Sequence, residues 1–386
     1  NKGALAFWGS TFNTGWETDA DLEREAFDFA FSQSPIASPG YGTTLASIME
    51  AGYAGIENIY GWPEARGTRV IYHLLGDPSA RLWFLVWDNL YTAILDGNVP
   101  NDLVFQSAER GELSLYRWDG EAGLKPYLRA ENLEMTWDRV AVGNFTGDAL
   151  SEVLLYDSEG GKATLFRISE DESGVLAPFA RVDNMGTGWD AVLTGYFGHV
   201  SPESDYLFLY DTDAESTEGR NALYLARNGR LERSTAPNDL QGGWDVFSSG
   251  RFGRRPRASD LFFYDRDTGM AARYEVDRRG GLERTGEYGG LGKAWDIIVT
   301  GDFHGDSPSD ELLFYDRESG TIAVYAIEDA EKLRLLQIHT SIGSTWSTLA
   351  CGQFGGDEHT DLLCYGKSRG EGIFYISDGR AGFTIR

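Results

Sequence analysis

The residues able to carry covalent or acid–base chemistry are Cys351 and Cys364, the histidines His73, His199, His304, His339 and His359, and 60 carboxylates. A thiolate nucleophile needs a neighbouring base and an oxyanion site. The spacing of these cysteines and histidines assembles no such constellation. Both cysteines fall on what should be neighbouring strands at the end of the chain, where a bridge is geometrically open; the other reading is two small buried hydrophobes. Carboxylate pairs of the kind that hydrolyse glycosides are plentiful in so acidic a chain, and nothing singles one out. The sequence holds no P-loop, dinucleotide fingerprint, His-Glu-x-x-His or Gly-x-Ser-x-Gly. What recurs instead is recognition chemistry, in the form of Trp-Asp pairs.

Those pairs open a repeat. Trp87, Trp137, Trp189, Trp244, Trp295 and Trp346 stand 50, 52, 55, 51 and 51 residues apart, the period of four-stranded propeller blades. Each is followed by a Gly-x-Phe, a polar loop, an apolar run of the type Asp-Leu-Leu-Phe-Tyr-Asp, a glycine and further strands. In the copy from Trp295, the strands are expected over Trp295 to Phe303, Glu311 to Tyr315, Thr321 to Ala326 and Leu333 to Ile338. Middle strands covered on both faces read as continuous apolar runs, which places Leu312 to Tyr315, Leu261 to Tyr264, Tyr206 to Tyr210 and Val153 to Tyr156 in the core. Gly143, Gly195, Gly250, Gly301 and Gly352 permit a turn or a close approach, and Phe145, Phe197, Phe252, Phe303 and Phe354 plug the blade interface. The first copy departs, with Ala93, Leu95 and Gln106; the last carries Ser347 and Gly366 in place of Asp and uses Gly382 to Arg386 as its fourth strand. Six copies predict a mainly β, six-bladed β-propeller; seven blades, the alternative, would need one from residues 1 to 83.

Over about 300 residues these copies resemble FG-GAP-type propeller repeats and Trp-rich propeller lectins. The first resemblance implies calcium held on carboxylates spaced along a turn, and Asp302, Asp306 and Asp310 fit best, with His304 among them. The alternative is polar turns whose Asp side chains cap their own backbone. The second implies sugars held between blades by aromatic faces and carboxylates. The candidates are Trp137 with Asp138, Trp189 with Asp190, Trp244 with Asp245 and Trp295 with Asp296. Stacking wants an exposed indole and blade packing a buried one, and the packing role is favoured for most.

Composition bounds the partners. The net charge of −26, with only six lysines, repels nucleic acid and anionic membrane and suits neutral ligands or cations. The longest apolar run, Leu82 to Trp87, is too short to span a bilayer. The opening Asn1-Lys2-Gly3 has no initiating Met or signal-type segment, which reads as a processed piece.

Residues 1 to 83 change pattern. Ala4 to Trp8 reads as a strand, Ala20 to Phe31 and Gly42 to Ala54 as helices, Thr68 to Leu74 as a helix or helix end, and Arg81 to Val86 as a strand. This order belongs to an α/β sandwich, too short to be complete. The block Gly3-Ala4-Leu5-Ala6-Phe7-Trp8-Gly9-Ser10-Thr11 with Asn13 and Trp16, closing on Leu74-Leu75-Gly76-Asp77-Pro78, resembles the C-terminal part of a gingipain-type, caspase-like cysteine peptidase domain. The resemblance implies that Ser10, Thr11, Asn13 and Trp16 line the pocket for a substrate side chain. In that family the nucleophilic Cys and its His precede the Ser-Thr strand, so this chain is expected to carry no catalytic residue.

The resulting organisation is 1–83 as a partial caspase-like segment and 84–386 as the propeller. The expected role is the C-terminal chain of a secreted or cell-surface bacterial peptidase, partnered by an N-terminal peptidase chain, with a propeller that binds protein, glycan or surface. A propeller lectin, adhesion or assembly protein without an enzymatic partner is the alternative.

Overall fold

The structure is a computed structural model; it describes residues 6–10, 72–76 and, apart from short loop stretches, 87–385. The chain separates into two compact units, Asn1–Val86 with Arg369–Ile373, and Trp87–Ser368 with Phe374–Arg386. In the first, β1 (Ala6–Ser10) pairs antiparallel with β2 (Tyr72–Gly76). The strand expected to lead into the Ser-Thr pair therefore forms. Over Tyr72 to Leu74 the structure corrects the expected helix: a short apolar run does not distinguish helix from strand by itself, and here a full ladder with β1 supplies the backbone partners. The expected helices Ala20 to Phe31 and Gly42 to Ala54, and the strand Arg81 to Val86, lie outside the described residues.

The larger unit is built from six four-stranded antiparallel sheets, each from one continuous stretch of chain. Blade 1 holds β3 (Asn89–Ala93), β4 (Asp102–Ser107), β5 (Glu112–Asp119) and β6 (Gly123–Ala130). Blade 2 holds β7 (Arg139–Gly143), β8 (Glu152–Asp157), β9 (Lys162–Ile168) and β10 (Leu176–Val182). Blade 3 holds β11 (Ala191–Gly195), β12 (Tyr206–Tyr210), β13 (Asn221–Arg227) and β14 (Arg230–Arg233). Blade 4 holds β15 (Val246–Gly250), β16 (Asp260–Asp265), β17 (Met270–Val276) and β18 (Leu282–Tyr288). Blade 5 holds β19 (Ile297–Gly301), β20 (Glu311–Asp316), β21 (Thr321–Ile327) and β22 (Leu333–His339). Blade 6 holds β23 (Thr348–Gly352), β24 (Asp361–Gly366), β25 (Glu371–Ser377) and β26 (Phe383–Ile385). The first strands of consecutive blades are neighbours, and β23 lies beside β3. The ring therefore closes on six blades, and no helix occurs among the described residues.

Burial follows the expected pattern. Every apolar side chain of the second strands in blades 2, 4 and 5 is fully enclosed, as are Tyr206 to Tyr210. Phe145, Phe197, Phe252, Phe303 and Phe354 are all buried. Where blades 2 to 5 carry a glycine six residues after the Trp, it serves close approach rather than a turn: a Cβ on Gly301 would stand 2.4 Å from Thr360 Cγ2 of the next blade, and its φ is not left-handed. The positive φ belongs instead to the glycine of the hairpin joining second and third strands, as at Gly269, where φ is 71° and a Cβ would meet the Gly292 carbonyl oxygen at 2.4 Å. Only glycine sits there without strain.

Two sets of hydrogen bonds fix each blade to the next. The tyrosine ending the second strand reaches across the interface: the hydroxyls of Tyr156, Tyr264 and Tyr315 donate to the carbonyls of Gly186, Gly292 and Gly343 at 2.9, 2.9 and 2.7 Å. Tyr365 closes the ring by accepting from the Trp87 N–H at 3.0 Å. Blade 1 has Gln106 in this place, and its Nε2 donates to the Trp137 carbonyl at 3.0 Å, so the departure preserves the contact. At the other end of the blade, the residue seven after the opening Trp pairs with the residue preceding the next blade's second strand: Ile94 with Ser151, Asn144 with Asp205, Arg251 with Asp310, Asp302 with Thr360.

Candidate functional site: a central funnel at the Trp-Asp end

The Trp-Asp pairs are split by the fold. As each chain segment enters its first strand, the indole turns into the blade core and the carboxylate stays at the ring's end. Trp137, Trp189 and Trp244 are buried and Trp295 half-buried. Trp244 and Trp295 pack against Phe263 and Phe314 at centroid distances of 5.9 and 5.6 Å, and Trp189 Nε1 donates to the Met185 carbonyl at 2.9 Å. Their faces are occupied by protein, the packing role favoured from sequence.

The aspartates hold the hairpin beyond the second strand. Asp138 accepts from Ser158 N at 2.9 Å and from its hydroxyl at 2.6 Å, Asp190 from Thr212 N and Oγ1, both at 2.9 Å, and Asp245 and Asp296 from Arg266 N and Arg317 N at 2.7 and 2.8 Å. Ser347 performs the same task with its hydroxyl, accepting from Lys367 N at 2.9 Å. Sequence alone could not separate this task from ligand binding, because a cap and a sugar contact ask for the same residue type.

At this end of the ring a cavity of about 520 Å³ is lined by Asp88, Asn89, Tyr91, Ala108, Asp138, Arg139, Val140, Asp190, Ala191, Val192, Phe247 and Lys367. Blades 1, 2, 3, 4 and 6 all contribute. Asp138 and Asp190 come together here; Asp245 and Asp296 do not line the cavity, and Asp296 is paired with Arg266 at 3.2 Å. Sequence reasoning did not single out Arg139 and Lys367. A signal was present for Arg139, a cation just after the Trp-Asp pair where the other blades carry Asn89, Ala191, Val246, Ile297 and Thr348; Lys367 shares its hairpin position with Arg266 and Arg317 and so did not stand out.

The funnel's charges are arranged in pairs. Lys367 Nζ lies 2.6 Å from Asp88 Oδ1, and Arg139 Nη1 2.8 Å from Asp138 Oδ2, while Arg139 Nε donates to the Asp190 carbonyl at 3.2 Å. Partial burial opposes ionisation of Asp88, but Lys367 and the Ala108 N–H outweigh it and hold the carboxyl below its usual range. Burial pushes Tyr91 up to about 12, despite Arg139 and a bond with the Val140 backbone, so its hydroxyl stays protonated. Three carboxylates, two cations, an amide and a phenol thus face one space, with Phe247 as an apolar wall. This is a surface of alternating donors and acceptors with little net charge. Each lining carboxylate is engaged by backbone N–H, hydroxyl or cation partners.

The calcium candidates are arranged differently. Asp310 is engaged by Arg251, whose N, Nε and Nη2 reach its carboxylate at 2.8, 3.1 and 2.7 Å. Asp302 Oδ1 accepts from Gly305 N at 2.8 Å within its own turn, and Asp306 lies outside the described residues. A guanidinium at Asp310 puts a fixed positive charge where a cation would have to sit, so Asp302 and Asp310 do not fit calcium as placed. Among the described residues no group of three or more potential ligands forms a metal site. Cys351 and Cys364 are free thiols. In the β23–β24 register, Cys351 faces Leu362 and Cys364 faces Leu349, so they are diagonal neighbours, and burial raises both thiols. Of the peptidase-pocket candidates, Ser10 ends β1; Thr11, Asn13 and Trp16 lie outside the described residues.

No family model matches the sequence, and no curated protein does. Solved structures do. The Aleuria aurantia lectin, crystallised with Fucα1-6GlcNAc, shares 11% identity over 78% of this chain and 96% of its own, with a TM-score of 0.51. An Agrocybe aegerita lectin described as recognising terminal N-acetylglucosamine shares 10% over 76% and 79%, at 0.48. A putative 6-phosphogluconolactonase from Bacteroides uniformis shares 17% over 81% and 87%, at 0.49. At 11% identity the likeness to the Aleuria aurantia lectin is one of fold alone. No described helix is long and apolar enough to cross a membrane.

Proposed function

We propose that the propeller is a carbohydrate-binding module that takes a neutral, hydroxyl-rich ligand in the central funnel. The observation carrying this reading is the pairing of Asp88 with Lys367 and Asp138 with Arg139 around one cavity. A sugar hydroxyl both donates and accepts, so it can bridge such a pair without leaving a charge uncompensated. An anionic ligand would meet three carboxylates, in a chain whose net charge is already −26. The lectin structures that share the fold support the class of ligand, not the place where it binds.

The test is calorimetric titration with a panel of neutral oligosaccharides, using the wild type, Arg139→Ala and Lys367→Ala. Each substitution should weaken binding about tenfold, or ~1.4 kcal/mol, with melting little changed. Absence of binding across the panel, or binding indifferent to both substitutions, overturns the reading.

A second proposal concerns residues 1–83. Their resemblance to a gingipain-type domain, together with the strand over Ala6–Ser10, supports a role as the C-terminal portion of a secreted cysteine peptidase whose Cys and His lie on a separate chain. The propeller would then deliver that enzyme to a glycan or surface. Native mass spectrometry of the protein from its source, with a thiol-reactive peptidyl probe, should reveal a labelled second chain; a lone unlabelled chain removes this proposal and leaves the binding module standing.

A further inference from the structure

The outer strands of four blades carry the same irregularity. Where the third and fourth strands pair, one residue of the fourth is passed over: Tyr127 in blade 1, Phe179 in blade 2, Thr285 in blade 4 and Leu336 in blade 5. Such a bulge re-aims the extra side chain. In blades 1 and 2 that side chain is aromatic, and the third strand supplies an arginine beneath it. Arg117 stands 3.7 Å from the Tyr127 ring centroid and Arg167 stands 5.4 Å from that of Phe179. In blades 4 and 5 the position equivalent to these arginines holds Glu275 and Ala326, so the bulge does not depend on the pair.

The two pairs differ in what they leave open. Tyr127 packs against the core, and Arg117 Nη2 donates to the Leu95 carbonyl at 3.2 Å. Phe179 is one of four large apolar side chains the described surface exposes, at 36%. No described acceptor lies within hydrogen-bond distance of the Arg167 guanidinium: its nearest carboxylates are Asp148 Oδ2 at 3.7 Å and Glu152 Oε1 at 3.8 Å. Glu152 is spent on Phe145 N and on Thr146, and Asp148 uses Oδ1 for Leu150 N at 3.2 Å. An exposed aromatic plate, a guanidinium with free donors and a carboxylate oxygen with a free lone pair therefore meet on one side of blade 2.

We propose that this is a second saccharide site, separate from the funnel, in which the CH face of a neutral pyranose stacks on Phe179 while its hydroxyls accept from Arg167 and donate to Asp148 Oδ2. Neutrality follows from Asp148, which would repel a carboxylated sugar. The proposal does not rest on the funnel reading, since the two sites share no residue.

Saturation-transfer NMR with methyl glycosides of galactose, glucose, mannose, fucose and N-acetylglucosamine tests it, on the wild type, Phe179→Ala, Arg167→Gln and the funnel variant Arg139→Ala. The expected result is ring-proton saturation for at least one glycoside that persists in Arg139→Ala and, in that background, falls about tenfold when Phe179→Ala or Arg167→Gln is added. Amide spectra of Phe179→Ala with only local changes show that the loss is not unfolding. No saturation from any glycoside in Arg139→Ala, or saturation there that survives both blade 2 substitutions, overturns the proposal.

Discussion

The two ends of the blades use the same residue type to opposite purposes. At the Trp-Asp end, Asp88, Asp138 and Asp190 are partly exposed, bind backbone N–H groups and cations, and border the funnel. At the Gly-x-Phe end, Asp102, Glu152, Asp260, Glu311 and Asp361 begin the second strands and are at most 2% exposed. There the carboxylates of Asp102, Glu152 and Glu311 accept N–H donors from the Leu95, Phe145 and Phe303 loops at 2.8 Å. Desolvation raises the carboxyls of Glu152 and Asp361, and that of Glu311 to about 7. One end is a set of partly exposed carboxylates bordering a cavity. The other is a set of buried clamps that hold the loops, and the difference lies in burial rather than in sequence.

The largest test of that contrast is packing. Phe303 is fully buried beside its clamp, so Phe303→Ala should cost about 3–5 kcal/mol. Asp138→Ala, which removes cap bonds at the open end, should cost about 1–2 kcal/mol. Denaturant unfolding of the two variants compares them, and equal losses would erase the distinction between a packed and an open end.

The next test is pH. Between about pH 4.5 and 7 the folded protein keeps a proton on Glu311 that the unfolded chain has released. Stability from this group is thus fully present below pH 4.5 and lost as pH rises to 7, by up to about 3 kcal/mol. Glu311→Gln keeps an acceptor for Phe303 N and His304 N and should flatten the stability profile across that window. A profile as steep as wild type would show that other groups set it. Asp88 has the opposite sign: its carboxyl is held low by Lys367, so its contribution is present above the ordinary Asp range and lost on acidification.

A smaller effect sharpens the picture of closure. Tyr365→Phe removes the bond to Trp87 N that joins blade 6 to blade 1 and should cost about 1 kcal/mol, comparable to Tyr264→Phe at an internal joint. A much larger cost at Tyr365 would mean that the closing joint is the weak one.

The period of the tryptophans was enough to predict the six blades, and the four strands expected in the copy from Trp295 match β19 to β22 within a few residues. Gln106 and Ser347 look like losses of the repeat, yet each makes its blade's equivalent bond with a different functional group. The site was less legible. Whether an indole faces a ligand or a neighbouring Phe depends on the radial order of strands, which no local pattern encodes. Arg167 and Phe179 are twelve residues apart in sequence and meet only because a bulge shifts the register of β10. Tyr72–Gly76 became a strand through a partner more than sixty residues away.

In the proposed binding mode the aspartates and cations of the Trp-Asp end, and not its indoles, meet the ligand. Arginine Nε–Hε and tryptophan Nε1–Hε1 resonances followed in one titration with a neutral oligosaccharide test it most directly. Arg139 Nε should shift saturably while the indole signals of Trp137, Trp189, Trp244 and Trp295 stay in place. Saturable shifts of those indoles, with Arg139 unmoved, would contradict it.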